Sequence, residues 1–239
     1  MSEELDLLDL ADLHLLQNID NSPQDFEASN LNFFQLNQRR SEIVDQCTRN
    51  FALRHNSHQH RSPLICLLQE PYYYKKGTFY GPDHTYEVIY LAQPGKRARA
   101  AIWCPKIFNP RPVHQIMSED IAAAAISFNN NSFLIVSIYN PPNGNPSCLL
   151  SKIKGNFSSK HLHSVILGGD LNCKSYLWGP TDSKHSETFE GFLLQNDLTC
   201  INPPDHDPTF VSRKGPLTLT PPLSPHLCLT KYSIGSCSL

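Results

Sequence analysis

Four apolar runs in this sequence end in residues able to hold a cation or move a proton. Leu31–Leu36 runs into Asn37, and Leu64–Leu68 into Gln69-Glu70-Pro71. Ser132–Ile138 runs into Tyr139-Asn140-Pro141-Pro142, and Val165–Leu167 into Gly168-Gly169-Asp170-Leu171-Asn172. Two carboxylates and two carboxamides meeting at one mouth would offer hard oxygen donors. Mg²⁺ prefers that set, usually with water and a substrate phosphate completing its shell. Such a metal polarises a phosphoryl oxygen and steadies a leaving alkoxide, while a carboxylate beside it orients or deprotonates water. Gly168 and Gly169 would let a phosphate come close to the strand end. Taken singly, each segment has an ordinary structural use. Glu70 fits a solvated strand end, Asp170-Leu171-Asn172 an Asx-type turn, and Tyr139 a packing edge. Their joint occurrence, each after a strand of buried type, points to phosphoester chemistry.

These residues need a rigid scaffold, and the pattern between them supplies one. Leu31–Leu36 is predicted as a short strand, and residues 41–53 as a helix carrying Ile43, Val44, Cys47 and Phe51 on one face. Leu64–Leu68 reads as a central buried strand, followed by strands at Ala98–Trp103, Ile121–Phe128 and Ser132–Tyr139. The Asn129-Asn130-Asn131 connection suits a tight hairpin because Asn tolerates positive φ. Val165–Leu167 is a further buried strand, Ser186–Asp197 a helix and Leu198–Ile201 a short strand. Interspersed strands and helices of this kind give a layered α/β protein.

Three zones differ in composition. Residues 1–30 hold eight acidic residues and no Lys or Arg, which predicts a flexible acidic leader; Leu5, Leu8, Leu15 and Leu16 alternatively form one face of a short helix. Residues 31–239 then carry 20 basic and 14 acidic residues, a net of +6 against −2 for the whole chain. That excess permits an approach to a phosphate backbone without requiring one. Residues 31–214 form the core zone. Residues 215–239 are rich in Pro, Ser, Thr and Leu with Lys231 as their one charged residue, and do not read as a continuation of the domain. The eight cysteines show no CxxC pair, which favours buried free thiols of an intracellular protein over disulfides or structural zinc. No apolar run is long enough for a membrane span, and the acidic N-terminus does not read as a signal peptide. His161, His163 and His206 read as surface residues.

The set Leu36-Asn37, Leu68-Gln69-Glu70-Pro71, Ser137–Pro142 and Gly168–Asn172 resembles the endonuclease/exonuclease/phosphatase superfamily. Within it, Gln69-Glu70-Pro71 and the stretch Asp170–Gly179 resemble the apurinic-type endonuclease of non-LTR retrotransposons, and Pro208-Thr209-Phe210 is similar to that family's strand before its last catalytic aspartate. The resemblance covers residues 31–214. It implies a DNase I-like four-layer α/β/β/α sandwich, incomplete at its C-terminal end. It implies Glu70 as the main Mg²⁺ ligand (Mn²⁺ in its place), with Asn37 helping to hold the metal site. Tyr139 would contact the scissile phosphate, Asp170 would activate the attacking water, and Asn172 would orient Asp170 and bind the phosphate. Thr209 would contact the same region. The implied reaction nicks double-stranded target DNA to leave a 3′-hydroxyl, which a reverse transcriptase region of the parent element uses as primer; the implied location is nuclear.

The family pattern continues with a Ser-x-Ile-Asp segment and ends in a Ser-Asp-His triplet. Here no Asp or Glu follows Asp207, and His226 sits in a context that does not match. The change at Gly215 reads as a shifted frame or a mis-joined exon, leaving the last strands of one sheet absent and the activity impaired. Two other readings stand beside this one. One is a phosphatase of the same superfamily. The other is a non-catalytic nucleic-acid-binding relic, using Lys96, Arg97, Arg99, Lys106 and Arg111 near Trp103 as a phosphate-contacting ridge, residues that equally suit a charged hairpin edge.

Overall fold

The computed structural model describes residues 15–16, 31–57, 63–74, 78–91, 93, 95–154, 164–178, 182–183, 185–201 and 226–232. Two βαβ units carry the architecture. In the first, β2 (Asn32–Asn37) and β3 (Leu64–Gln69) pair in parallel, joined by the crossover helix α1 (Glu42–Ser57). In the second, β8 (Asn131–Tyr139) and β9 (Ser164–Asp170) pair in parallel around α2 (Pro146–Lys154). Parallel neighbours need such a crossover, and the helix then covers one face of the sheet.

Each unit is extended into a mixed sheet. The first has five strands in the order β1-β2-β3-β5-β4, adding β1 (Leu15–Leu16), β4 (Tyr86–Ile89) and β5 (Ala100–Pro105). The second has six in the order β10-β11-β9-β8-β7-β6, adding β6 (Arg111–Pro112), β7 (Ile121–Phe128), β10 (Thr199–Cys200) and β11 (His226–Tyr232). β7 and β8 form the expected hairpin: Phe128 pairs with Asn131, and Asn129 and Asn130 take φ of 46° and 62°. Positive φ at both central residues is the two-residue turn that matches strand twist.

Period-2 alternation decides which side chains meet. On β3, Ile65 and Leu67 join the core between the sheets, whereas Leu64, Cys66 and Leu68 join a second core beneath α1. On β5, Ala100, Ile102 and Cys104 face the central core, and Ala101 and Trp103 the outer one. Leu149, Leu150 and Ile153 of α2, with Phe189, Phe192 and Leu193 of α3 (Ser186–Gln195), close the far face of the second sheet. The result is the helix/sheet/sheet/helix layering expected of a DNase I-like sandwich.

Trp103, expected beside a basic ridge, is instead fully buried, stacked on Phe79 at 5.7 Å with the Arg49 guanidinium 5.2 Å from its ring centre. Outward parity on β5 sends it under α1. Among the described residues Cys66, Cys104 and Cys173 are buried free thiols, whereas Cys47 and Cys200 are half-buried and Cys148 is exposed. Among the described residues no helix is long and apolar enough to cross a membrane. Leu15 and Leu16 pair antiparallel with Phe34 and Phe33 as β1; the rest of residues 1–30 lies outside the described residues.

The tail departs from expectation. Residues His226–Tyr232 form β11, whose backbone pairs antiparallel along the whole of β9, with His226 opposite Asp170 and Tyr232 opposite Ser164. One strand from the tail is thus added to the second sheet, between β9 and β10. Thr230 and Tyr232 are residue types favoured in strands, and the neighbouring prolines that argue against a strand lie before it.

Candidate active site at the C-terminal strand ends

Parallel strands end on the same rim of a sheet. Asn37 is in register with Gln69 at the ends of β2 and β3, and Tyr139 with Asp170 at the ends of β8 and β9. The two sheets pack with these rims together, which places loops from both βαβ units in one crevice, the usual ligand position for such units. Asn37 spans the gap: its Nδ2 donates to Asp170 Oδ2 at 2.7 Å and to Glu70 Oε2 at 3.3 Å. Its Oδ1 accepts the Arg39 amide at 2.8 Å, which fixes the side-chain plane. Parity on β2 explains this reach, because Leu31, Phe33, Gln35 and Asn37 alternate toward the second sheet.

Glu70 follows β3 in the left-handed region, φ 45°, as do Arg39 (50°), Arg40 (57°) and Asn172 (44°) at the same rim. Such conformations cost non-glycine residues of order 1–3 kcal/mol each and cluster where function requires them. Surrounding bonds hold Glu70 there: its amide donates to the Arg99 carbonyl at 2.7 Å and its carbonyl accepts the Arg40 amide at 2.8 Å. Its carboxylate is 21% exposed and lies 3.4 Å from the Arg40 guanidinium.

Asp170 is only 2% exposed. Its Oδ1 accepts the Asn172 amide at 3.0 Å, and Asn172 Nδ2 donates to the Asn140 carbonyl at 2.8 Å. The Asx turn read from the sequence is therefore present, and it aims the carboxylate at Asn37 instead of solvent. Gly169 has a different role from the one expected. A Cβ there would stand 2.0 Å from the Ile138 carbonyl, so glycine is needed for the approach of β8.

Burial raises the Tyr139 phenol to about 12, reinforced by the Glu70 and Asp170 charges and a hydrogen bond to Glu70, with Arg99 opposing. The hydroxyl thus keeps its proton and remains a donor. The Arg99 guanidinium lies 5.7 Å from the Tyr139 ring centre. It is held by Asp120 at 2.6 and 2.8 Å and by Glu119 at 3.0 Å, and the Asp120 carbonyl accepts the Tyr139 amide at 2.9 Å. A second tie crosses the sandwich: Gln69 Nε2 donates to Ser137 Oγ at 2.9 Å, and Ser137 Oγ donates to the Leu68 carbonyl at 3.1 Å. Desolvation holds the Arg39 guanidinium below its usual value, opposed by the nearby Asp170 and Glu70 charges.

Five of the six expected site residues, Asn37, Glu70, Tyr139, Asp170 and Asn172, therefore share one rim. Thr209 lies outside the described residues, as do His161, His163 and His206. Arg99, Asp120 and Arg39 escaped the sequence reading as site neighbours, since nothing local signals a contact between β5 and the β7 entry. The basic ridge divides: Arg97 and Arg99 precede β5 at this rim, whereas Lys106 follows β5 at its other end, about 20 Å away for six strand residues.

The donor set fits a divalent cation. Glu70 is partly open and Asp170 sits beside it, both linked by one carboxamide, and Mg²⁺ commonly takes one or two carboxylates plus water. Among the described residues no group of three or more His, Cys, Asp or Glu is placed to hold a metal ion.

Two βαβ-based sheets packed face to face, with Glu70 and Asp170 brought together at the joined strand ends, make a DNase I-like fold. Residues 133–228 match the family model described as "Endonuclease-reverse transcriptase", a match that extends into β11. The endonuclease domain of TRAS1, a telomere-specific non-LTR retrotransposon, superposes with a TM-score of 0.62 at 22% identity, covering 82% of this chain and 83% of that one. An endonuclease/exonuclease/phosphatase family protein from Leptotrichia buccalis C-1013-b gives a TM-score of 0.52 at 11% identity, covering 84% and 87%. The AP endonuclease LMAP from Leishmania major gives 0.51 at 11% identity, covering 96% and 86%. No curated protein sequence matches significantly. The chain thus has a DNase I-like fold, and its residues 133–228 match a model of the endonuclease-reverse transcriptase family.

Proposed function

We propose that this chain is a divalent-metal-dependent DNA endonuclease domain of the non-LTR retrotransposon type, working at a depressed rate. The convergence of Asn37, Glu70, Tyr139, Asp170 and Asn172 on one rim carries this reading. Glu70, supported by Asn37, would hold Mg²⁺ or Mn²⁺, which when bound would offset charge developing on the phosphate. Asp170, desolvated and aligned by Asn37 and the Asn172 amide, orients the attacking water and takes its proton. Tyr139, kept protonated, donates to a phosphate oxygen. Asn172 fixes Asp170 and contacts the phosphate; for Thr209, which lies outside the described residues, only the family resemblance implies a role. The product is a nicked strand with a 3′-hydroxyl, able to prime a reverse transcriptase in the nucleus.

The depressed rate follows from the missing acidic side chains. Residues 208–239 contain no Asp or Glu, so within them the Asp and Ser-Asp-His groups of the family pattern have no counterpart. Losing one preorganised group of this kind costs roughly 10²–10³ in rate. A supercoiled-plasmid assay with Mg²⁺ tests the proposal: the parent should nick slowly, and Asp170→Ala should not nick. Equal residual cutting by both would sink the assignment, and rapid cutting by the parent would sink the impairment. Preferential hydrolysis of a small phosphate ester would move the chain to the phosphatase branch.

A further inference from the structure

Against the candidate site lies a cavity of about 140 Å³ walled by Arg40, Tyr73, Arg97, Arg99 and Glu119. It touches the site through two of its walls, since Arg40 reaches Glu70 at 3.4 Å and Arg99 packs over Tyr139. Nothing in the chemistry assigned to Glu70, Asp170 or Tyr139 uses it. Three guanidiniums face one carboxylate, and Glu119 is taken up by Arg99 at 3.0 Å, with Asp120 on the same guanidinium. The positive charge left to the cavity is that of Arg97 and the outer edge of Arg40, both exposed. Arg97 is not adrift: its guanidinium stacks 5.6 Å from the Tyr73 ring centre, and Tyr73 is anchored by its hydroxyl donating to the Ala98 carbonyl at 3.0 Å. A cation held over an aromatic face keeps its N–H fork oriented and less hydrated, which suits it to bidentate phosphate recognition. With liquid water taking about 30 Å³ per molecule, the space fits a single tetrahedral phosphate group with bridging waters.

We propose that this cavity is a phosphate subsite that seats a backbone phosphodiester of the DNA strand flanking the one at the candidate site, gripped by Arg97 and Arg40. The proposal rests on the nuclease reading above. It makes the position of the strand a property of this pocket and assigns a purpose to only the rim end of the basic stretch at 96–111.

Duplex binding in EDTA, followed by fluorescence anisotropy across a salt series, tests it without strand cleavage. Arg97→Ala should lower the magnitude of the log K against log salt slope by about 0.9, equally on unrelated duplexes, because a phosphate contact carries no sequence information. Lys106→Ala, at the other end of β5, should leave the slope unchanged. Should Arg97→Ala melt early through loss of its Tyr73 stacking, Arg97→Gln keeps the packing and should give the same slope change. Duplex binding by the parent with no change of slope in either Arg97 variant would overturn the subsite and leave the nuclease reading intact. Failure of the parent to bind duplex would count against the nuclease reading. Inorganic phosphate raising the melting midpoint of such a parent, but not of Arg97→Ala, would mark a small-phosphate pocket and overturn the DNA assignment. No response to either would overturn both.

Discussion

Asn37 and Asp170 lie on different sheets and are joined by a 2.7 Å hydrogen bond from Nδ2 to Oδ2. The same amide group also reaches Glu70, so one side chain of β2 sets the spacing of both carboxylates. Replacing it with alanine leaves two neighbouring carboxylates without their shared donor. Asn37→Ala is expected to cut Mg²⁺-dependent nicking roughly 10²–10³-fold and to lower stability by only about 1–3 kcal/mol. Nicking rates beside urea unfolding check both. Because the pair acts as a unit, Asn37→Ala combined with Asp170→Ala should cost little more than the worse single variant. Fully additive losses would break the proposed coupling.

A second inter-sheet tie has a different consequence. Gln69 and Ser137 are both fully buried, and Gln69 Oε1 also accepts Gln35 Nε2 at 2.5 Å. Ser137→Ala strands the Gln69 Nε2 donor inside the sandwich. An unsatisfied buried donor costs about 1–3 kcal/mol, so the urea midpoint should fall with little change in the slope of the transition. Since Gln69 directly precedes Glu70, nicking should fall as well. A midpoint equal to that of the parent would show that the tie is dispensable.

Much of this arrangement is legible in the sequence, for a physical reason. β3, β7, β8 and β9 are covered on both faces and therefore read as continuous apolar runs. Asn37, Glu70, Tyr139, Asp170 and Asn172 stand out as polar groups that follow such runs. β4 is harder to see, being only Tyr86-Glu87-Val88-Ile89 on a sheet edge. α2 hides behind prolines and glycine, although Asn145 Oδ1 accepts the Ser147 amide at 3.0 Å and Pro146 opens the helix. An N-cap Asn followed by Pro is a start signal that could have revealed it. The Arg99–Asp120–Tyr139 support and the Asn37–Asp170 bond are illegible, because both depend on the packing of separate elements. β11 is obscured by the composition around it: its own Thr230 and Tyr232 are strand-favoured types, but the flanking Pro and Ser dominate any window.

Two glycines make opposite predictions. A Cβ on Gly169 would meet backbone atoms of Ile138 at 2.0, 2.8 and 3.0 Å, and neither strand can yield without breaking the β8–β9 ladder. Gly169→Ala should cost more than about 3 kcal/mol, comparable with severe overpacking, and is expected to express poorly. Gly191, inside α3, has open space around its Cβ position and no positive φ. Gly191→Ala should stabilise by about 0.5–1 kcal/mol through helix propensity and a less flexible unfolded chain. Thermal midpoints that moved the same way in both variants would contradict the packing seen here.

The Tyr139 phenol supplies a prediction about alkaline pH. Folding raises it from 10.0 to about 12, chiefly by burial and then by the charges of Glu70 and Asp170. The folded chain thus holds this proton more tightly than the unfolded chain. The corresponding stability is fully present below the unfolded value and is lost as pH climbs through the folded one. Tyr73, also raised from 10.0 to about 12 by burial, adds to the same window. Burial also raises the Cys104 thiol from 9.0 to about 12, so urea midpoints should decline from pH 9 toward 12, with the tyrosine part of the loss above pH 10. Tyr139→Phe removes one titrating group, so its decline should be shallower than that of the parent, and the phenolate absorbance band should lose one late-titrating proton. At neutral pH the same variant should retain DNA binding while nicking more slowly, since the hydroxyl is assigned to the phosphate only during reaction. A decline as steep in Tyr139→Phe as in the parent would remove Tyr139 from the alkaline transition, and with it the case for a strongly held proton at this position.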